Sequence, residues 1–183
     1  MQLISKETKS DSKMKVEPVV SRVAFEELVE MADHAGVKLE ITDGIPTWEA
    51  FPGIRHQKTI FRIQTSLERL PDSNCGCFQV SDAYIKFPDG SLKRPDLSIF
   101  CEEPPDIDEA YPQIPEAVLE VLSRDFEKKD TEIGAPFYLA QGVKDVILFD
   151  PRTLEVTHLR RDVTTQLMSP VTIQLECGCQ LTV

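Results

Sequence analysis

The chain has 183 residues and a formal net charge of -11, from 31 acidic and 20 basic residues. This length is typical of one domain with a full hydrophobic core, and no apolar run is long enough to span a bilayer. An acidic surface repels nucleic acid over most of its area, which argues against tight nonspecific DNA binding. The polar N-terminus lacks the apolar segment of a signal peptide, so we expect a cytoplasmic protein.

The predicted secondary structure describes a single domain over residues 17–183, after a flexible tail over residues 1–16 that shows no periodicity. Apolar residues that alternate with polar ones predict strands, and a 3.6-residue apolar period predicts helices. The predicted elements are a helix at about 21–35, strands at 37–42 and 45–50, a helix at 56–70, strands at 78–87, 92–101 and 117–122, a helix at 127–141, and strands at 145–149, 154–160 and 171–176. This order favours an α/β or α+β fold with a mixed β-sheet flanked by helices, including a parallel strand–helix–strand crossover over 117–150.

The N-terminal strands and the following helix carry the more detailed predictions. Asp43-Gly44 predicts a tight hairpin, and Pro46 indicates that the return strand lies at a sheet edge. The strict alternation over 37–42 predicts a half-buried strand with Glu40 on its polar face. His56 lies in the first turn of the next helix on the inward-facing stripe, where it serves either as a structural histidine or in an active site.

Five cysteines are present, and four of them form two Cys-Gly-Cys triplets at 75–77 and 177–179. An odd number of cysteines in a chain without a secretion signal argues against a disulfide framework. Four thiolates can hold zinc, but the single-residue spacing is tighter than that of common zinc sites. We therefore expect two glycine turns with small, half-buried cysteines and no zinc.

Two short apolar runs each carry one carboxylate, Asp96 in the first and Glu120 in the second. Burying a carboxylate without a partner costs several kcal/mol, so a buried strand gains nothing from one. Two such strands side by side offer oxygens to one hard cation. The alternative, satisfied surface carboxylates on edge strands, fits poorly with positions between apolar residues. The sequence therefore predicts that Asp96 and Glu120 meet at a metal site.

A set of motifs over residues 20 to about 160 resembles a known bacterial family. The motifs are Glu40–Gly44, His56–Gln57, Arg94–Ile99, Glu120–Ser123, Tyr138 with Gly142–Val143, and Phe149–Pro151. In this order they resemble the putative restriction endonuclease family, formerly a domain of unknown function, within the PD-(D/E)XK nuclease superfamily. The resemblance implies a restriction-endonuclease-like core and a metal-dependent endonuclease that hydrolyses nucleic-acid phosphodiester bonds, with DNA as the expected substrate.

The resemblance also implies roles for individual residues. Asp96 and Glu120 would bind Mg²⁺ or Mn²⁺, Glu40 would support the metal or the attacking water, and His56 would lie at the rim of the site. We expect DNA to be bound weakly by a local basic groove, formed by Arg55, Lys58, Arg62, Lys93 and Arg94. No membrane partner is expected, and a homodimer is left open.

The catalytic lysine of the superfamily is absent from both of its expected positions. The superfamily pattern places it two residues after the glutamate, at Leu122, and family members place it four residues before the tyrosine, at Gly134. Lys128 and Lys129 lie nearby, but at α-helical spacing neither shares a face with Gly134 and Tyr138. Two functions remain open: a Mg²⁺-dependent nuclease that uses one of these lysines, and a catalytically degenerate module that binds or regulates.

Overall fold

The computed structural model describes residues 25–107, 110–123 and 129–183. The tail predicted over residues 1–16 lies outside this part of the chain. The helices are α1 (Phe25–Ala35), α2 (Ile54–Gln64) and α3 (Ala135–Ala140), with a π-helical segment (Lys129–Gly134) directly before α3. The strands are β1 (Val37–Thr42), β2 (Ile45–Ala50), β3 (Glu68–Arg69), β4 (Phe78–Val80), β5 (Ile85–Lys86), β6 (Leu92–Lys93), β7 (Leu97–Phe100), β8 (Ala117–Val121), β9 (Asp145–Phe149), β10 (Glu155–Arg160), β11 (Val163–Met168), β12 (Thr172–Gln174) and β13 (Cys179–Thr182).

A six-stranded mixed sheet forms the centre of the fold, in the order β11-β10-β9-β8-β7-β4. Strands β8 and β9 are parallel, and β7 is antiparallel to β8, which confirms the predicted mixed sheet. Helix α2 covers one face, where Ile60 packs with Leu119, and α3 covers the other, where Tyr138 packs with Val118. Because both faces are covered, every residue of β8 and β9 is buried, as their continuous apolar sequences require.

A second sheet has the order β2-β1-β6-β5 and confirms the predicted N-terminal hairpin and the edge position of Pro46. Asp43 and Gly44 adopt φ values of 50° and 77°, as a tight two-residue turn requires. The prediction of a half-buried β1 was wrong, since Lys38 and Glu40 on its polar face are also buried. That face lies against the candidate site instead of solvent.

The two long strands predicted over 78–87 and 92–101 are each divided in two. Strand β4 pairs with β7 in the six-stranded sheet, whereas β5 pairs with β6 in the four-stranded sheet. In the second predicted strand the division falls at Arg94-Pro95, where proline has no N–H to donate to a strand partner. Asp96, directly before β7, therefore lies at the corner between the two sheets.

Three strands, β3, β11 and β13, were not predicted from the sequence. Helix α2 ends at Gln64 instead of residue 70, and β3 follows and pairs with β13 in a three-stranded sheet, β12-β13-β3. Strand β11 was also missed, because most of its side chains are exposed and it lacks an apolar alternation. Among the described residues, no helix is both long and apolar enough to cross a membrane.

The cysteines contradict the prediction that they do not pair. Two disulfides form, Cys75–Cys101 and Cys77–Cys179, and Cys177 is free. The turn that contains Gly76 lies against the end of β7, where the Gly76 N–H donates to the Cys101 carbonyl oxygen at 2.9 Å. A Cβ at this glycine would lie 2.8 Å from that oxygen, so the close approach requires glycine. Sequence spacing within one triplet cannot reveal a partner more than 100 residues away.

Candidate active site

One pocket is lined by residues of the four-stranded and six-stranded sheets, of the loop before α2 and of the π-helical segment. Its charged and titratable side chains are Lys38, Glu49, His56, Asp96, Glu120, Lys129 and Asp130. The two carboxylates of the predicted metal site therefore lie in the same pocket as a histidine and a lysine that the sequence singled out. Lys38, Glu49 and Asp130 were not predicted.

The carboxylates of Asp96 and Glu120 each accept a hydrogen bond from a backbone N–H of the neighbouring chain segment. The register pairs Leu97 with Leu119, so Asp96 lies opposite Glu120 one position further along. The Asp96 backbone N–H donates to Glu120 Oε2 at 3.1 Å, and the Val121 N–H donates to Asp96 Oδ2 at 2.8 Å. Both residues are buried, with 9% of Asp96 and 6% of Glu120 exposed. The sheet itself thus fixes the two carboxylates next to each other.

His56 contacts Asp96 directly. Its Nε2 lies 3.0 Å from Asp96 Oδ2 and 3.0 Å from the Val121 carbonyl oxygen. Burial alone would lower the pKa of His56, but the hydrogen bond to Asp96 and the charge of that carboxylate outweigh it and raise the pKa. The histidine therefore orients Asp96 from the first turn of α2, as its inward-facing position predicted.

Glu120 is oriented by Tyr138, whose hydroxyl donates to Glu120 Oε1 at 2.8 Å. Burial, followed by the charges of Asp96 and Asp130, raises the pKa of Glu120 well above its usual range. Burial also acts to raise the pKa of Asp96, but His56 and Lys38 outweigh it and lower that pKa. A proton that binds this pair of carboxylates therefore resides on Glu120.

Lys129 lines the pocket and is the first residue of the π-helical segment. In a π-helix, residue i lies next to residue i+5, which brings the Lys129 carbonyl oxygen to 3.5 Å from a Cβ built on Gly134. The interpretation that Lys129 does not share the face of Gly134 assumed α-helical spacing, which this segment does not have. Lys128 lies outside the described residues. A Cβ at Gly134 would also lie 3.8 Å from the Tyr138 ring, although Gly134 itself does not line the pocket.

Carboxylates on the N-terminal hairpin hold the ammonium of Lys129 in place. Lys129 Nζ donates to Glu40 Oε2 at 2.9 Å, forms an ion pair with Glu49, and lies 3.5 Å from Asp130 Oδ1. Burial would lower the pKa of Lys129, but these charges, first that of Glu40, outweigh it and raise the pKa. The lysine is therefore a fixed cation and not a base.

Glu40 uses both oxygens to bind nitrogen donors. Its Oε2 accepts from Lys129 and from Lys93 Nζ at 3.0 Å, and its Oε1 accepts from the Arg94 backbone N–H at 3.0 Å. Burial would raise the pKa of Glu40, but Lys129, Lys93 and Lys38 outweigh it and hold the pKa well below its usual range. Glu40 thus supports a lysine, where the sequence predicted support of the metal or water.

Only three of the five residues of the predicted basic groove lie together at the surface. Lys93 is 1% exposed and lies 5.5 Å from the centre of the Phe137 ring, so its assignment as a DNA contact was wrong. Arg94 donates to the Asp82 carbonyl oxygen at 2.9 Å and to Asp82 Oδ2 at 3.1 Å, and it does not join the others. The exposed residues Arg55, Lys58 and Arg62 lie together on α2 and are called the basic face below.

Lys38 and Glu49 escaped the sequence analysis although the hairpin contains the signal for both. Lys38 Nζ lies 3.7 Å from Asp96 Oδ1, and it shares the polar face of β1 with Glu40. Counting back from the Asp43-Gly44 turn pairs Lys38 with Glu49, as the register confirms. Lys38 and Glu49 therefore lie on the same face of the hairpin as Glu40, which was predicted as a site residue.

The donor set of the pocket fits a hard divalent cation. Carboxylate oxygens of Asp96, Glu120 and Asp130 are the ligand type that Mg²⁺ and Mn²⁺ prefer. Burial, with Glu49 and Glu40 opposing Lys129, raises the pKa of Asp130 to about 6. Among the described residues, four carboxylates line the pocket, from Glu49, Asp96, Glu120 and Asp130, against the two lysines Lys38 and Lys129, so acidic groups outnumber basic ones there. A cation would compensate this charge.

Comparisons with known proteins agree with this architecture. The chain is similar to the crystal structure of "a putative nuclease belonging to DUF820" from Anabaena variabilis ATCC 29413, with 17% identity, a TM-score of 0.62, and coverage of 82% of this chain and 88% of that chain. At this identity the likeness shows a shared fold, that of the restriction-endonuclease-like nucleases. No curated protein matches the chain. A family model, "Uma2: Putative restriction endonuclease", matches residues 25–181. Because this match covers most of the sequence, the chain belongs to the Uma2 family.

Proposed function

We propose that the chain is a divalent-metal-dependent endonuclease that hydrolyses phosphodiester bonds in DNA. The observation that carries the proposal is the convergence of Asp96, Glu120 and Lys129 in one pocket. Family membership and the nuclease fold support the reaction class, and the basic face of α2 supports a polyanionic substrate.

Asp96 and Glu120 are the residues that would hold the metal. When bound, the cation supplies Lewis-acid polarisation of the scissile phosphate and lowers the pKa of a water ligand. His56 and Tyr138 each donate a hydrogen bond to one of these carboxylates and so limit its rotation. Ligands that are oriented before the substrate arrives lower the cost of reaching the reactive geometry.

Lys129 takes the role of the lysine that is missing at Gly134. Its raised pKa keeps it protonated at neutral pH, so it donates hydrogen bonds to a phosphate oxygen or to the attacking water and stabilises developing negative charge. Glu40 acts through Lys129 and is a positioning residue. Glu40 contacts Lys129 from β1, so the hairpin and the π-helical segment must both fold to place this cation.

The basic face of α2 would contact phosphates next to the scissile bond. Arg55 and Lys58 are exposed and flank His56 on the same helix, whose amino end lines the pocket. Helix α2 contains no acidic residue although the chain as a whole carries an excess of acids. A few such contacts in an acidic protein favour weak, salt-sensitive DNA binding.

A plasmid-nicking assay tests the proposal, with Mg²⁺, Mn²⁺ or excess chelator. The wild type should nick DNA with metal, and Glu120→Gln should not, since glutamine keeps the size of the side chain and can accept from Tyr138 but loses the negative charge. Lys86→Met is the control because Lys86 is exposed and does not line the pocket. Equal nicking by the wild type and Glu120→Gln would contradict the proposal.

The catalytically degenerate module is the second candidate, and glycine at position 134 is the observation that favours it. In that case the wild type would bind Mn²⁺ and DNA but cleave neither plasmid, single-stranded DNA nor RNA. Metal binding without cleavage would therefore select this candidate over the nuclease.

A further inference from the structure

All five cysteines of the chain meet at one place that the proposed nuclease site does not use. The Sγ atoms of Cys75, Cys77 and Cys179 lie within 4.8 Å of one another, and so do those of Cys75, Cys101 and Cys177. The two disulfide partnerships join residues that are 26 and 102 positions apart in sequence. Convergence of every cysteine from three separate segments indicates a site and not chance placement.

The cysteine cluster is separate from the nuclease pocket. Asp96 precedes β7 and Cys101 follows it, so the two sites lie at opposite ends of this strand. Five residue steps at about 3.3 Å each separate them by roughly 16 Å. At its own end of the strand, the cluster joins the three-stranded C-terminal sheet to the six-stranded sheet.

The geometry of the cluster suits a soft metal ion. A tetrahedral Zn²⁺ site with Zn–S bonds of about 2.3 Å spaces its sulfur atoms about 3.8 Å apart. Cys179 Sγ lies 3.5 Å from Cys75 Sγ, and both residues are buried, at 0% and 4% exposure. Gly178, with a φ of +86°, lets the chain reverse between Cys177 and Cys179.

We propose that in the reduced chain Cys75, Cys77 and Cys179, whose Sγ atoms lie within 4.8 Å of one another, bind one Zn²⁺ as a structural site, and that Cys101, which reduction frees beside Cys75, is the fourth ligand. A dithiol reductant supplies two electrons and two protons to each disulfide, which gives four thiols and two molecules of oxidised reductant. Zn²⁺ then displaces the four thiol protons as the thiolates bind. The spacing argument against zinc considered each triplet alone, whereas the structure supplies ligands from three segments.

Cys177 is left out of the ligand set and provides a matched control within the same cluster. It lies beside Cys75 and Cys101 but takes part in neither disulfide. Its Sγ is not part of the group that Cys75, Cys77 and Cys179 form within 4.8 Å of one another.

The first test uses the full-length wild type, reduced with a dithiol, stripped with a chelator and titrated anaerobically with Co²⁺ and Zn²⁺. The expected result is a thiolate-to-cobalt charge-transfer absorption of a tetrahedral site that saturates at one equivalent of Co²⁺ and that Zn²⁺ abolishes. Co²⁺ bound by the carboxylates of the nuclease pocket does not contribute to this absorption. Zn²⁺ should also raise the melting temperature of the reduced protein. Absence of this absorption, or a melting temperature that does not respond to Zn²⁺, would overturn the proposal without any variant.

The second test compares Cys75→Ser and Cys77→Ser with Cys177→Ser. The first two should weaken Zn²⁺ binding by at least 100-fold, and Cys177→Ser should bind like the wild type. Circular dichroism of each reduced protein distinguishes loss of zinc binding from loss of the fold. If a variant does not fold, the titration of the wild type still tests the proposal. Loss of zinc from Cys177→Ser with retention in Cys77→Ser would show that the assigned ligand set is wrong.

Discussion

Replacement of Lys129 by methionine tests the proposed role of the lysine in the pocket. The substitution keeps an unbranched side chain of similar length but removes the ammonium that Glu40 and Glu49 hold. Loss of one pre-organised electrostatic donor typically lowers the rate by about 10² to 10³-fold, or about 2.7–4 kcal/mol. We expect a loss of this size in the nicking rate of Lys129→Met with Mn²⁺.

The same substitution should lower the free energy of unfolding by less than the about 3–5 kcal/mol that is lost when one partner of an isolated buried ion pair is removed. Glu40 keeps its contacts with Lys93 and the Arg94 N–H, and Lys129 is itself 15% exposed at the side chain. Asp130, with a pKa of about 6, can take up a proton when its partner is removed. The variant should therefore be folded at the assay temperature, as its melting curve will show.

A second substitution, Gly134→Lys, should restore activity in the Lys129→Met chain. A Cβ at position 134 lies in ordinary contact with the Tyr138 ring, whose hydroxyl reaches Glu120. A lysine side chain that extends along this ring toward the tyrosine hydroxyl would approach Glu120. We expect at least a tenfold recovery, and Lys129→Met with Gly134→Met serves as the uncharged control. Wild-type nicking by Lys129→Met alone would refute the assignment of the lysine.

Two further predictions concern DNA binding and stability. Arg55→Ala and Lys58→Ala should each weaken DNA binding, measured by fluorescence anisotropy, and reduce the slope of log K against log salt by about 1. The control Lys86→Ala should change neither quantity. Unchanged slopes in both Arg55→Ala and Lys58→Ala would show that the basic face does not contact DNA. Asp145 is fully buried and accepts from His158, Arg160 and the Glu176 N–H, and these bonds outweigh burial and lower its pKa. The stabilisation by Asp145 is therefore complete above the unfolded pKa of about 4 and is lost as the pH falls through the folded pKa. Urea unfolding should show that Asp145→Asn has a lower free energy of unfolding than the wild type at pH 7. This difference in free energy should become smaller toward pH 3. A difference that stays constant with pH would contradict this reasoning.

Local signals made much of the fold predictable. The Asp43-Gly44 turn fixed the first hairpin and its register, and the apolar runs around Asp96 and Glu120 identified the two neighbouring strands of the central sheet. His56 could be placed because its helix has a clear apolar stripe, and the structure brings it to Asp96. In each case the information lies within a few residues of the feature.

The remaining features depend on contacts between distant parts of the chain. A polar strand face normally meets water, so the burial of Lys38 and Glu40 could not be read from alternation alone. The segment that carries Lys129 is π-helical, with hydrogen bonds between residues five apart instead of four, and the local sequence predicted an α-helix there. Lys93 was placed on the surface because nothing nearby in sequence shows that Glu40 binds it.

The most direct test of the metal site is a crystal structure with Mn²⁺, in which anomalous scattering locates the ion. We expect one Mn²⁺ peak in the pocket, with an oxygen of Asp96 and an oxygen of Glu120 both at bonding distances of about 2.0–2.6 Å. Carboxylate oxygens more than about 8 Å apart, or an anomalous peak only elsewhere on the molecule, would contradict the shared metal site on which the proposed nuclease activity depends.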